Sequence, residues 1–127
     1  MIAIQATEIE KDRDPDWYEL IENLTESIRI PSVKAAAAEG SPFGNEVDHA
    51  LRHALKCAER MGFRTCYGDG YYGYAEIGEG KEIIGILCHV DVVPAGDQSV
   101  WKYPPFDGVH AEGYLWGRGT LDDKGPL

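Results

Sequence analysis

Two polar residues interrupt an apolar stretch in the second half of the chain. His89 and Asp91 lie within residues 82–93, which are otherwise rich in isoleucine, leucine and valine. Residues two apart on a strand point to the same side, so Asp91 can accept a hydrogen bond from one ring nitrogen of His89 and leave the other nitrogen free. Metal-binding histidines are typically oriented by a carboxylate in this way. The pair indicates a metal site, although a lone histidine near a strand end is more often a structural residue.

A second group of polar residues lies downstream in a turn. Asp122 and Asp123 are adjacent, with Gly119 before them and Gly125 after them. Carboxylate oxygens bind divalent cations, and one carboxylate can bridge the two ions of a two-metal hydrolase. Taken alone, such a turn is usually a solvated surface loop.

His49 and His53 form a third candidate group, four residues apart on a predicted helix. Such a pair can hold a metal ion. The glutamate that follows the first histidine in the helix motif of zinc proteases is missing here, so a structural role is favoured.

The elements that must position these residues follow from the hydrophobic pattern. Residues 82–93 form a near-continuous apolar run, which predicts a strand covered on both faces. Shorter strands are predicted at 63–67 and 71–77, because turn clusters rich in glycine separate these segments.

Two helices are predicted upstream. Apolar residues recur at helical spacing over 14–29, with Asp14 as N-cap, Pro15 at the first helical position and Pro31 after the end; a second amphipathic helix is predicted over 46–61. Helices followed by a buried strand predict the α/β class, with a mixed sheet flanked by helices.

Composition limits the possible partners. The chain has 127 residues and a net charge of -10, which disfavours binding to nucleic acid and to anionic membranes. No apolar run approaches the roughly 20 residues of a membrane helix. Three cysteines, an odd number, and an N-terminus without a leader pattern predict a cytoplasmic protein.

Two motifs, taken together, carry a family resemblance. They are Cys-His-Val-Asp-Val-Val-Pro-Ala-Gly at 88–96 and Gly-Tyr-Leu-Trp-Gly-Arg-Gly-Thr-Leu-Asp-Asp-Lys-Gly-Pro at 113–126. In order, spacing and identity they resemble the signature of the zinc dipeptidase family that includes carnosinase, acetylornithine deacetylase and bacterial dipeptidases, and the dipeptidase branch above all. Upstream of Glu82 the resemblance extends only to the general layout of two helices and a hairpin.

The resemblance implies roles for individual residues. His89 would bind one zinc ion, Asp122 would bridge two zinc ions, and Asp91 would serve the catalytic centre by orienting His89. The peptide bond after the bridging aspartate is often cis in this family. Manganese or cobalt would also suit such ligands.

The resemblance also implies a zinc exopeptidase-like fold that is incomplete at its C-terminus. Family members take the catalytic glutamate and further ligands from positions beyond the one that matches Leu127. Residues 1–127 would then be the N-terminal portion of a metallopeptidase catalytic domain, without the lid domain that often mediates dimerisation. We expect a shortened gene or a proteolytic piece, inactive alone, of an enzyme that hydrolyses dipeptides or N-acyl amino acids.

An alternative is a non-catalytic binding or self-association module derived from this fold. Strands without neighbours are open edges that seek partners, so a homo-oligomer is compatible with this alternative. Weak metal binding without turnover would favour the module, and turnover of a dipeptide would refute it.

Overall fold

The computed structural model describes residues 6–8 and 15–127. Two helices, five short strands and one 3-10 turn follow one another along this part of the chain. In order they are β1 Ala6–Glu8, α1 Pro15–Ile28, α2 Asn45–Arg60, β2 Arg64–Gly68, β3 Tyr72–Glu76, the 3-10 turn Gln98–Val100, β4 Val109–Ala111 and β5 Tyr114–Trp116.

Helix α1 forms where the sequence predicts it. Its buried face includes Ile21, Leu24 and Ile28, which recur at three- and four-residue steps as the pattern requires. Leu24 and Ile28 pack with Leu115 in the core. The predicted N-cap Asp14 lies outside the described residues.

Helix α2 is also confirmed, and it packs on the hairpin of β2 and β3. The Tyr67 hydroxyl donates a hydrogen bond to the Asp48 carboxylate, and the Arg52 guanidinium lies 4.0 Å from the centre of the Tyr67 ring. This polar contact joins the first turn of the helix to strand β2.

The hairpin itself confirms the two shorter predicted strands to within a residue. Strands β2 and β3 are antiparallel, with Cys66 opposite Tyr74. Three residues, 69–71, connect Gly68 to its partner Tyr72. Asp69 and Gly70 in this connection both have positive φ angles, of 51° and 77°, and the Tyr71 N–H donates to the Gly68 carbonyl oxygen at 2.9 Å.

A three-stranded antiparallel sheet in the order β1-β5-β4 was not predicted. Strands β4 and β5 are joined at Glu112 and Gly113, whose φ angles are 59° and 82°. Each strand has three residues, too few for alternation to stand out in the sequence. This sheet buries Leu115 completely.

The predicted strand over residues 82–93 is wrong for the described structure. The segment forms no strand there, and the apolar side chains of its first half are exposed: Ile83 by 91%, Ile84 by 95%, Ile86 by 87% and Leu87 by 99%. Its last residues are held by the parallel bridge between Val33 and Val92, where Val92 is buried, and by hydrogen bonds of His89 and Val90. No helix or sheet within residues 6–8 and 15–127 covers residues 83–87, so the apolar side chains there stay open to solvent.

The α/β class is confirmed at the level of helices packed with small sheets. The sheets in the described part are antiparallel. None of the described helices is long and apolar enough to cross a membrane.

Candidate metal centre

His89 and Asp122 come together although 33 positions separate them along the chain. His89 Nε2 lies 3.1 Å from Asp122 Oδ1, and both side chains are open to solvent, at 50% and 82% exposure. His89 lies in the segment over residues 82–93, and Asp122 lies in the turn after β5. The two groups that the motifs single out thus face one another at the surface.

Asp91 contacts the other ring nitrogen of His89, as predicted, but mainly through its backbone. His89 Nδ1 lies 3.0 Å from the Asp91 carbonyl oxygen and 3.5 Å from the carboxylate atom Oδ1. Both are acceptors, so Nδ1 donates its proton to Asp91. Nε2 faces a carboxylate oxygen, which can only accept, so Nε2 donates to Asp122 while it is protonated, and its lone pair becomes available to a metal ion when that proton is lost.

Asp123 makes a contact that the sequence analysis did not predict. The backbone N–H of His89 donates to Asp123 Oδ2 at 3.1 Å. This bond crosses between the segment over residues 82–93 and the turn. It holds the backbone of His89 against Asp123, the residue that follows Asp122.

The turn that carries Asp122 is tightly wound. The peptide bond between Asp122 and Asp123 is cis, and the Gly125 N–H donates to the Gly119 carbonyl oxygen at 3.2 Å. A Cβ atom on Gly125 would lie 2.0 Å from the Thr120 carbonyl oxygen. Glycine is required at this position because backbone passes so close to backbone.

Lys124 anchors the turn in the interior. Its ammonium group donates to the carbonyl oxygens of Ser27 and Ile30, each at 2.7 Å, at the C-terminal end of α1. Only 4% of the residue is exposed, and burial lowers the pKa of Lys124 to about 8. A lysine in a polar turn gives no sign in the sequence that it is buried.

The surroundings of His89 favour its protonated form. Partial burial lowers the pKa of His89, but the Asp91 carbonyl and the Asp122 carboxylate outweigh it, so that the pKa lies above its usual value. A metal ion binds neutral imidazole and therefore competes with this proton. Binding at Nε2 is expected to weaken as the pH falls.

The donor atoms fit one edge of a zinc site. Two zinc–ligand bonds of about 2.0–2.1 Å at a tetrahedral angle hold their ligand atoms roughly 3.3 Å apart, close to the observed 3.1 Å. Across the described residues, no group of three or more histidine, cysteine or acidic side chains is placed to hold a metal ion. The chain therefore presents two metal-ligand candidates, and their roles stay predictions.

The histidines of α2 do not join this centre. His49 lies beside Glu46 at 3.8 Å, whereas His53 Nε2 lies 3.3 Å from the Asn23 carbonyl oxygen and 3.5 Å from Cys57 Sγ. Burial lowers the pKa of His53. The contact between His53 and Asn23 links α2 to α1.

Comparison with known proteins finds the same family over the two motifs. Residues 85–127 match Peptidase family M20/M25/M40. The protein named "Putative dipeptidase YtjP" of Bacillus subtilis is 46% identical over 110 residues, which are 85% of this chain and 23% of that protein. A similarly named dipeptidase of Staphylococcus aureus is 44% identical over the same shares of the two chains.

A solved structure agrees with these sequence matches. The crystal structure of human carnosine dipeptidase 1 superposes with a TM-score of 0.63 at 26% identity, covering 86% of this chain and 26% of that one. The chain spans about a quarter of the length of these relatives. The predicted resemblance to the N-terminal part of the carnosinase family is confirmed.

Proposed function

We propose that this chain, which resembles the N-terminal part of M20/M25/M40 peptidases, is the N-terminal portion of the catalytic domain of a metal-dependent dipeptidase. The meeting of His89 Nε2 and Asp122 Oδ1 at 3.1 Å, within the matched motifs, carries this proposal. The proposed substrates are dipeptides or N-acyl amino acids, and the proposed compartment is the cytoplasm.

Two residues would hold the metal, and zinc is proposed. His89 would bind one ion through Nε2, and Asp122 would bridge two ions through its carboxylate. Bound zinc would supply Lewis acid chemistry, polarising the scissile carbonyl and making a water molecule more acidic. Manganese and cobalt suit the same donor atoms.

The neighbouring residues orient these two ligands. The Asp91 carbonyl oxygen accepts a hydrogen bond from His89 Nδ1, so Nε2 is the ring nitrogen that would bind the metal once its own proton is lost. Asp123 holds the His89 backbone. The chain itself thus presents both ligands in a fixed relation before metal binds.

The exposed segment supports the proposal that further polypeptide completes the domain. Four apolar side chains of this segment are almost fully exposed, Ile83, Ile84, Ile86 and Leu87. Fully burying such side chains stabilises a protein by about 1.5–3 kcal/mol each. Cover for these side chains requires additional structure, and the relatives are about four times as long as the matched part.

Metal binding tests the proposed site in the 127-residue chain. We expect zinc binding, measured by competition with a chromogenic chelator at pH 7.5, to be lost in His89→Ala and strongly weakened in Asp122→Asn. The matched control His49→Ala removes an exposed histidine on α2 and should bind zinc like the wild type. Wild-type zinc affinity in His89→Ala would refute the assignment.

Activity tests the proposed reaction. The isolated chain should show no dipeptide hydrolysis, because hydrolysis needs a general base beside the activated water and enough ligands to fix the metal. A full-length protein containing this chain should hydrolyse dipeptides, with kcat/KM at least a thousandfold lower in His89→Ala. Equal activity of the two full-length proteins would contradict the mechanism.

A self-association module is the second candidate, and the uncovered segment over residues 82–93 favours it. Free strand edges pair readily with other strands. Sedimentation velocity would show dimers or larger species that disappear in Ile84→Lys. A full-length protein without peptidase activity, together with such dimers, would favour this candidate over the first.

A further inference from the structure

One short stretch of the chain holds both candidate metal ligands in place. We call residues 27–32 the platform, residues 89–92 the histidine arm and residues 119–125 the aspartate turn. The platform is the C-terminal end of α1 and the residues that follow it. Both the histidine arm and the aspartate turn are hydrogen-bonded to this platform.

Ser32 fastens the histidine arm. Its hydroxyl donates to the Val90 carbonyl oxygen at 2.6 Å, and its own carbonyl oxygen accepts from the Val92 N–H at 3.0 Å. Ser32 is fully buried, so neither bond competes freely with water. These two bonds fix the backbone on either side of Asp91.

Lys124 fastens the aspartate turn to the same platform. Its two bonds go to the carbonyl oxygens of Ser27 and Ile30, which also accept from the backbone N–H groups of Ile30 and Ser32. A lysine ammonium favours the C-terminal end of a helix because the helix dipole is negative there. A buried charge is stable only where such partners surround it, so these two bonds hold the ammonium group in position.

A cross-connection closes the arrangement. The His89 N–H donates to Asp123, which precedes Lys124. The platform, the histidine arm and the aspartate turn therefore form a closed loop of hydrogen bonds. The His89 side chain projects from the histidine arm, and the Asp122 side chain projects from the aspartate turn.

We propose that Ser32 and Lys124 are positioning residues, which set the distance between His89 and Asp122 by fastening the histidine arm and the aspartate turn to one platform. This inference rests on the proposed function for its consequence, the affinity for metal. The side chains of both residues bond to backbone carbonyl oxygens. Each acts through the backbone of a metal-ligand candidate.

Two substitutions remove the two fastenings separately. Ser32→Ala removes a hydroxyl with little change of volume, and Lys124→Met keeps the long side chain while removing its donors. Leu24→Ala is the control, because it weakens the core from α1 without removing a bond to the histidine arm or the aspartate turn. All three variants are compared at a temperature where each is folded by circular dichroism.

The His89 amide proton gives a readout that needs no metal. A bond to a carboxylate moves this proton resonance downfield, and Asp123→Asn provides the reference for a weakened bond. In the 127-residue chain we expect the resonance to move toward this reference in Ser32→Ala and in Lys124→Met. It should stay at its wild-type position in Leu24→Ala.

Zinc affinity is the second readout. Residues that orient metal ligands typically contribute 10–100-fold to affinity, so each positioning variant should bind zinc at least tenfold more weakly than the wild type. Leu24→Ala should bind within about twofold of it. If Lys124→Met does not fold, Ser32→Ala alone decides both readouts.

The outcomes separate this inference from the proposed function. A wild type that binds no zinc would count against the proposed function, while the His89 amide resonance would still test the positioning roles. A wild-type resonance in both positioning variants would overturn the inference. Equal changes in Leu24→Ala would also overturn it, since they would show a general effect of stability.

Discussion

The isoleucine at position 84 offers a sharp test of what covers the exposed segment. Ile84 is 95% exposed, so Ile84→Ala removes almost no buried surface from the 127-residue chain. Substitutions at such positions change the free energy of unfolding by no more than about 0.5 kcal/mol. We expect a change of this size in the isolated chain.

The same substitution should have a large effect in a full-length protein that covers the segment. Truncating a buried isoleucine to alanine costs about 2–5 kcal/mol, from lost burial and from the cavity left behind. The difference between the two proteins should therefore exceed about 1.5 kcal/mol, which is more than tenfold in the folding equilibrium.

Urea unfolding followed by tryptophan fluorescence measures both values. The isolated chain is studied at concentrations where sedimentation shows a monomer, because association would stabilise it. Ile28→Ala is the matched control. Ile28 is fully buried within the described residues, so its truncation should be costly in both proteins.

Equal small costs of Ile84→Ala in the two proteins would refute the reasoning. The segment would then remain uncovered in the longer protein, and its apolar pattern would need another explanation. A large cost in the isolated monomer would contradict the exposure described here.

Three further predictions concern stability and the turn. Burial lowers the pKa of His53, so the unfolded chain takes up a proton first as the pH falls below about 6.5. In urea titrations the wild type should therefore lose stability in this pH range, and His53→Gln should lose less. Exposed His49→Gln is the control, and equal pH profiles of the wild type and His53→Gln would contradict this prediction. Gly125→Ala would place Cβ 2.0 Å from the Thr120 carbonyl oxygen, so it should destabilise the chain by about 1–3 kcal/mol and weaken zinc binding, and unchanged values in calorimetry would contradict this. Leu115→Ala should cost about 2–5 kcal/mol in urea unfolding, because Leu115 is fully buried, and a cost below 1 kcal/mol would contradict its place in the core.

The helices and the hairpin could be predicted because their signals are local. Apolar spacing and Pro31 determine where α1 lies and ends, and the glycines between the two predicted strands determine the hairpin turn. Each signal lies within a few residues of the element it determines. The structure confirms these elements to within a residue or two at the described boundaries.

The segment over residues 82–93 could not be predicted correctly for this chain. Its many apolar residues predict a segment covered on both faces, and no described element covers residues 83–87. The same limit applies to β4 and β5, which are too short to show alternation. The sequence pattern shows which segments are apolar enough to be buried. Whether a segment is buried depends on the elements that pack against it.

The candidate site could also be predicted from the sequence only in part. The motifs predict His89, Asp91 and Asp122 as site residues, and the structure brings His89 and Asp122 together, while their roles stay predictions. The contacts of Ser32 and Lys124 could not be predicted. They join residues that lie far apart in the sequence, which neither periodicity nor a motif reveals.

The bonds of Lys124 also bear on when this site can assemble. Its partners Ser27 and Ile30 lie 97 and 94 positions earlier in the chain. Closing loops of that length costs conformational entropy, and proteins rich in such distant contacts fold slowly. During synthesis α1 therefore emerges long before the lysine that bonds to the carbonyl oxygens of Ser27 and Ile30. Metal capture by His89 and Asp122 together should accordingly be a late event, which follows the folding of this part of the chain.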